Sequence, residues 1–549
     1  PAVTLRAVVQ VLDKPRTRKR PRHQPRHRRP SPRPHPQINL VPVEIAVDAD
    51  RDGEIEFGVD STSETNPFRF WVNNDQDDVE ADEPSVVETP DNSDAQIATK
   101  RDLEDFTRIR LSVGLPLEQL KDGRWKIGLR FKNNGEQSPA IRVWPNESKT
   151  GKDSYLEEHP AAKRQIAEKS FGATSSTVFI PDSYWQDHDD NEAHLIFEGM
   201  SEGVGELALI LQNGLESTEI EGSVVHLKLL DVREMFQRAR IVNAGDEIPN
   251  PWIDDTPPAQ SWESDPWNWA YDEDPEAEET TVIFVHGWRL TYYEYLNWAQ
   301  TSYKRLWHQG FKGKFYTFRW ATLSGDQSSF EGYLTYNASE YRSWLCGPAL
   351  ASWVNSLPGF ADQKRIFAHS MGNVITGAAL REGMEVERYA LCNAAMASMA
   401  YDSSAHIRLD PVNGEPWDKI WGDLGPQKTP DTDSEAVIRD SFGLEGKFSG
   451  GNNFPHMINF YLPDDDALKS WIENNRWFKP DSTGHSYYYQ HIPQPPNISY
   501  KLFHAPPEGT TREVTSPPGS IWLCDKSTHK SCRDRFENRR FDWVFSEYE

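Results

Sequence analysis

The chain has 549 residues, enough for two or three domains, with a formal net charge of −26 and 37% hydrophobic residues. Four cysteines exclude a disulfide scaffold, and no Cys/His spacing suggests zinc. No apolar run reaches the roughly 20 residues of a membrane-spanning helix, and an acidic body argues against nucleic acid as the main partner.

Residues 1–37 form a basic, Pro/Arg-rich tail. Between residues 14 and 35 there are two lysines, eight arginines and no acid, so the remainder of the chain sits near −36. Such a segment has too few apolar side chains to offset its ordering entropy and is expected to be disordered.

Residues 38–240 carry short β-rich runs separated by turn residues: Arg124–Phe131, Ala193–Phe197, Glu206–Leu211 and Val224–Leu230. They predict a β-sandwich-like domain, with a helical insertion near residues 155–171. At its start, Asp48-Ala-Asp-Arg-Asp-Gly-Glu-Ile55 alternates carboxylates and then places a glycine at the bend. That is the front half of an EF-hand-like calcium loop, with Asp48, Asp50 and Asp52 as the ligands. Position twelve is Val59 rather than Glu, and Asn73-Asn-Asp-Gln-Asp-Asp78 is a second acidic cluster placed to complete the shell. A calcium ion there would be structural. Residues 241–279, rich in Pro, Asp and Trp, read as a linker anchored by its tryptophans.

The rhythm then changes. Thr280-Thr-Val-Ile-Phe-Val-His-Gly-Trp288 is a buried-type strand ending in His-Gly-Trp, and Gly310–Trp320 looks like the next strand. Arg365-Ile-Phe-Ala-His-Ser-Met-Gly-Asn-Val374 is a short apolar run, a serine flanked by small residues, and the start of a helix. That order puts Ser370 on a sharp strand-to-helix turn, a nucleophile elbow in which Ala368 replaces the first glycine. The amides of Met371 and Trp288 are the expected oxyanion donors. His286 is expected to brace its loop, and His369 to be a structural neighbour.

Residues from about 280 to 490 resemble the α/β-hydrolase superfamily, of the lipase and serine-esterase type, through Val-Ile-Phe-Val-His-Gly-Trp and Ala-His-Ser-Met-Gly-Asn. The resemblance implies an α/β-hydrolase catalytic domain over 280–549, a mostly parallel sheet flanked by helices, with nucleophile, acid and histidine in that chain order. His456–Leu468 then offers the acid: an apolar run ends in Asp464, Asp465 and Asp466. Asp465 is the choice by similarity, with Asp464 and Asp466 as alternatives. The histidine is sought further on. His485 lies in Ser482-Thr-Gly-His-Ser486, His504 follows the β-like run Ile498–Phe503, and His491 also remains open.

The resemblance implies a carboxylesterase or lipase acting on a small-molecule or lipid ester through an acyl-enzyme, with no cofactor needed for catalysis. The same triad would serve a peptidase, amidase or thioesterase, and a hydrolase fold without activity would act as a binding protein. The acidic surface, few cysteines and calcium-type loop lean toward an exported or cell-envelope bacterial protein.

Overall fold

The computed structural model describes residues 8–9, 41–74, 103–132, 138–146, 170–214, 216–242, 260–265, 270–290, 292–320, 322, 330–394, 455–461, 513–516 and 519–525. They fall into two compact units, the first ending at Val232 and the second running from Arg233 to the C-terminus.

The first unit is built from strands alone in its two layers. In chain order these are β1 (Val8–Val9), β2 (Val41–Ala46), β3 (Phe68–Trp71), β4 (Thr107–Val113), β5 (Lys126–Phe131), β6 (Ala140–Pro145), β7 (Gly172–Ala173), β8 (Val178–Phe179), β9 (Glu192–Ser201), β10 (Gly203–Asn213) and β11 (Glu216–Leu230). One sheet has the order β1-β2-β4-β9-β6-β7 and the other β3-β11-β10-β5-β8. All pairs are antiparallel except β3 with β11. Alternation along β4 and β5 puts Ile109, Leu111, Ile127 and Leu129 inside. The layers meet through large aromatics: Phe70 of one touches Phe197 of the other edge-on at 5.6 Å, and both are fully buried. Val8–Val9 pairs with β2, so the basic tail begins with a strand-forming pair rather than being featureless throughout. Most of the expected insertion, residues 155–169, lies outside the described residues.

The second unit holds one sheet of nine strands: β12 (Gln237–Ile241), β13 (Trp262–Ser264), β14 (Thr281–Val285), β15 (Lys314–Arg319), β16 (Lys364–His369), β17 (Arg388–Cys392), β18 (His456–Tyr461), β19 (Glu513–Ser516) and β20 (Gly519–Asp525). Their order is β13-β12-β15-β14-β16-β17-β18-β20-β19. Seven strands, β12 to β20 without the two outermost, run parallel. β13 and β19 close the edges antiparallel. Parallel strands covered on both faces should be apolar throughout, and β14 is buried at all five residues. The covering helices include α1 (Tyr292–His308), α2 (Phe330–Ser356) and α3 (Gly372–Arg381). Every residue of α3 before Arg381 is buried, because Gly372, Gly377, Ala378 and Ala379 let it lie close to its neighbours. No helix among the described residues is long and apolar enough to cross a membrane.

Two expected boundaries move. Residue 240 falls inside β12, which belongs to the nine-stranded sheet of the second unit, and the expected linker 241–279 contains β13. Polar composition hid both strands. Their charges are matched locally instead: Arg240 pairs with Glu263 at 3.0 Å across β12 and β13, and Arg238 lies 3.6 Å from Asp265, both side chains fully buried. Trp262 packs against the core of the second unit, anchoring the segment as a tryptophan there was expected to do.

Replacing Phe70 by alanine removes a ring that touches both layers of the first unit. The expected loss is about 3–5 kcal/mol of that unit's stability, measured as a shift of its urea-unfolding transition.

Candidate functional site

Strand order marks a candidate position for a site before any side chain is considered. The local order β15-β14-β16-β17-β18 means that the chain leaves β14 in one direction, to β15, and returns past it to β16 on the other side. In such sheets the loops beyond the carboxyl ends of the two strands at the reversal diverge and leave room for a ligand. These strands are β14 and β16, followed by His286–Trp288 and by Ser370.

Backbone strain collects at the same edge. Arg289, Ser370 and Asn393 have φ of 63°, 50° and 44°. They follow the ends of β14, β16 and β17, and are the positive-φ residues other than glycine among the described residues of this unit. A left-handed serine costs about 1–3 kcal/mol and persists only where its surroundings impose it. The surroundings here do so. The Ser370 N–H donates to the Cys392 carbonyl at 2.9 Å, and the Ser370 carbonyl accepts the Asn373 N–H at 3.1 Å. The Asn373 side-chain amide donates to the carbonyls of Ala368 at 3.0 Å and Ser370 at 2.8 Å, and its oxygen accepts the Tyr389 hydroxyl at 2.8 Å. At about 0.5–1.5 kcal/mol each, a few such bonds match the strain.

Close backbone approach explains the small residues. A Cβ on Gly372 would lie 2.5 Å from the His286 carbonyl oxygen and 2.6 Å from that of Val285. One on Gly287 would lie 3.1 Å from the Ser370 Cβ. The loop after β14 therefore presses directly on the serine turn. Ala368, fully buried, fits where a glycine was the more usual choice. Met371 is the N-cap of α3, so its amide belongs to the first turn, where N–H groups lack intrahelical acceptors and carry positive partial charge. Trp288 opens the turn after Gly287 and packs against the core, and the next residue's N–H is held by the Thr322 hydroxyl at 3.0 Å.

His286 is committed to bracing. Its Nε2 accepts the Trp320 N–H at 3.1 Å, which leaves the proton on Nδ1, facing the Gly287 carbonyl at 2.8 Å. The Trp320 indole N–H donates to the His286 carbonyl at 2.8 Å. Burial pushes the imidazole down to about 3, so it is neutral at ordinary pH. His369 lies against the half-exposed Trp298 of α1, with ring centroids 4.9 Å apart. Cys392 is partly buried, and desolvation pushes its thiol up to about 12, which makes it a poor nucleophile.

Asp464, Asp465, Asp466, His485, His491 and His504 lie outside the described residues. The strand expected to precede the acid is present as β18, parallel to β17, and ends at Tyr461, three residues before Asp464. The Asn373–Tyr389 contact escaped the sequence reading. A short amide in the first helical turn was visible, but nothing local links it to a tyrosine on the next strand.

The calcium-type loop of the first unit needs correction. Asp48 and Asp50 are joined by Asp60, not by Asp52, with carboxylate oxygens within 4.8 Å of one another. The Asp52 carboxylate instead accepts the Glu54 N–H at 2.9 Å. Asn73 turns its amide toward Glu198 at 3.4 Å, and the acids of the second cluster, Asp75, Asp77 and Asp78, lie outside the described residues. Amides engage all three carboxylates, Asp50 accepting the Asp52 N–H at 3.2 Å. Asp60 accepts the amides of Ala49, Asp50 and Glu56, and Asp48 accepts those of Asp52 and Gly53. Arg108 lies 2.8 Å from Asp48 and also donates to the Gly53 carbonyl at 3.0 Å. Burial pushes the Asp48 carboxyl up to about 6, against the pull of Arg108. Amides and a guanidinium thus balance the three carboxylates from within the chain.

No family model matches the chain, and no curated protein matches it. Among solved structures, one similar chain belongs to a glycosylation-associated protein complex of Streptococcus agalactiae, at 12% identity and a TM-score of 0.21, covering 65% of this chain and 57% of that one. A thermostable esterase is similar at 10% identity and a TM-score of 0.21, covering 71% of this chain and 92% of that one.

Two outcomes follow from the buried charges. The folded His286 titrates far below its unfolded value of about 6.5, so the unfolded chain alone takes up that proton, and stability is lost as pH falls from about 6.5 toward 3. In His286→Gln, the urea-unfolding free energy of the second unit should fall less steeply with acidification, by up to about 1.4 kcal/mol per pH unit. An unchanged slope would contradict a neutral His286. For the Asp48 loop, the thermal midpoint should be the same in EDTA and in millimolar calcium, and Arg108→Met should lower it.

Proposed function

We propose that the Arg233–Glu549 unit is an α/β-hydrolase domain, and that it cleaves carboxylic esters with Ser370 as nucleophile. The observation that carries this reading is the left-handed Ser370 at the strand reversal, pressed by the loop after β14 and followed directly by a buried helix. A serine held this way projects from the backbone into the crevice where a carbonyl can reach it.

The chemistry runs in two halves. A histidine, His485 in the favoured assignment with His491 and His504 as alternatives, takes the Ser370 proton as Oγ attacks the ester carbonyl. Asp465, or its neighbours Asp464 and Asp466, holds that imidazole in the required tautomer. The amides of Met371 and Trp288 receive the negative charge on the carbonyl oxygen. Collapse breaks the C–O bond, the histidine gives its proton to the departing alcohol, and the acyl group stays on Ser370. Water, deprotonated by the same histidine, then attacks the acyl carbon, and the histidine returns that proton to Ser370 Oγ as the acid leaves. The chemistry needs no cofactor. The neutral His286 suits a loop that must stay in place through this cycle, since a cation there would have to be desolvated.

A fluorophosphonate probe should label wild-type protein at Ser370, and Ser370→Ala should lose both labelling and hydrolysis of p-nitrophenyl esters, with kcat down by about 10⁴-fold or more. Among the alanine variants of His485, His491 and His504, one should match that loss. Peptides cut while all esters survive would move the reading to a peptidase, and absence of labelling would leave a binding protein.

A further inference from the structure

We infer that Asn373 and Tyr389 are positioning residues for the nucleophile: the Asn373 amide sets the angle of the Ser370 turn, and the Tyr389 hydroxyl fixes which way that amide faces. The inference rests on Ser370 being the nucleophile, as proposed above.

The chemistry of the contacts determines the orientation. The carbonyls of Ala368 and Ser370 can only accept hydrogen bonds, and both lie within 3.0 Å of one end of the Asn373 amide. That end is therefore the nitrogen, whose two hydrogens serve one carbonyl each. The oxygen must then face the other way, where the Tyr389 hydroxyl lies at 2.8 Å and donates its single hydrogen. Asn373 is fully buried and Tyr389 is 1% exposed, so no water competes for these bonds.

Position matters as much as bonding. Ala368 O and Ser370 O stand on either side of the serine turn, so one planar group ties its entry to its exit. β17 holds the same turn from a second point, where the Cys392 carbonyl accepts the Ser370 N–H at 2.9 Å. Tyr389 lies opposite Ile366 and Cys392 opposite His369 in the β16–β17 register, so one strand supplies both supports. A serine that tilts away from its acceptor loses reaction rate before it loses binding, because misplacement of the attacking atom by about 1 Å costs up to about a hundredfold.

The test is the second-order rate of fluorophosphonate labelling of the full chain, with KM and kcat for a p-nitrophenyl ester beside it. Asn373→Leu keeps the volume and removes all three bonds. It should slow labelling by about tenfold or more, with the loss in kcat and KM little changed. Tyr389→Phe removes one oxygen and should slow labelling by about threefold or more. It decides the matter if Asn373→Leu does not fold. Asn373→Asp supplies a signature that loss of packing lacks. Its ionised carboxylate would face two carbonyl oxygens, and protonation restores one donor, so its labelling rate relative to wild type should rise as pH falls. Wild-type rates in all variants would reduce the pair to packing and overturn the inference. An unlabelled wild type would instead sink the nucleophile itself, and the inference with it.

Discussion

The second unit depends on one close passage of backbones. Where α3 begins, the chain runs so near the carbonyls of Val285 and His286 that a single methyl on Gly372 would overlap them. This contact forces the strand-to-helix turn to be tight, and a tight turn leaves Ser370 in left-handed conformation. The same loop brings Gly287 against the serine, where an added Cβ would lie 3.1 Å from the Ser370 Cβ. Everything else at this edge of the sheet either creates the passage or prevents it from relaxing. The small residues of α3 create it. The Trp320–His286 clamp and the Asn373 amide keep it closed.

The polar groups holding the turn are buried, and their protonation follows from that burial. An imidazole with both ring nitrogens facing backbone groups gains nothing from a second proton, so His286 acts as a fixed neutral link. Cys392 contributes only its carbonyl to the serine turn, because burial disfavours the thiolate. His286 and the Cys392 thiol thus add no charge of their own behind Ser370.

The first unit solves a different electrostatic problem. Three carboxylates approach one another at the start of its sheets, which would be costly without compensation. Backbone amides and the Arg108 guanidinium supply it from within the chain. The spacing resembles a calcium loop up to Gly53 and then departs. The third carboxylate in space, Asp60, comes one residue beyond the twelve of that pattern and is reached through the bend that ends near Gly58.

By itself, the sequence determined the parts governed by local composition. β14 and β16 were legible as apolar runs because they lie inside a parallel sheet, and the sharp strand-to-helix turn was legible because only small residues fit beside a serine there. Bracing by His286 was legible from its place before Gly287. Tertiary structure decided whatever depends on partners distant in the chain. β12 and β13 are strands because Arg238, Arg240, Glu263 and Asp265 match one another's charge across the pair, which no hydrophobic pattern announces. Asp60 replaced Asp52 because the loop's curvature, rather than its spacing, sets which oxygens converge. Asn373 and Tyr389 meet because β17 lies beside β16, a neighbour relation fixed by the order of the sheet and carried by no single segment.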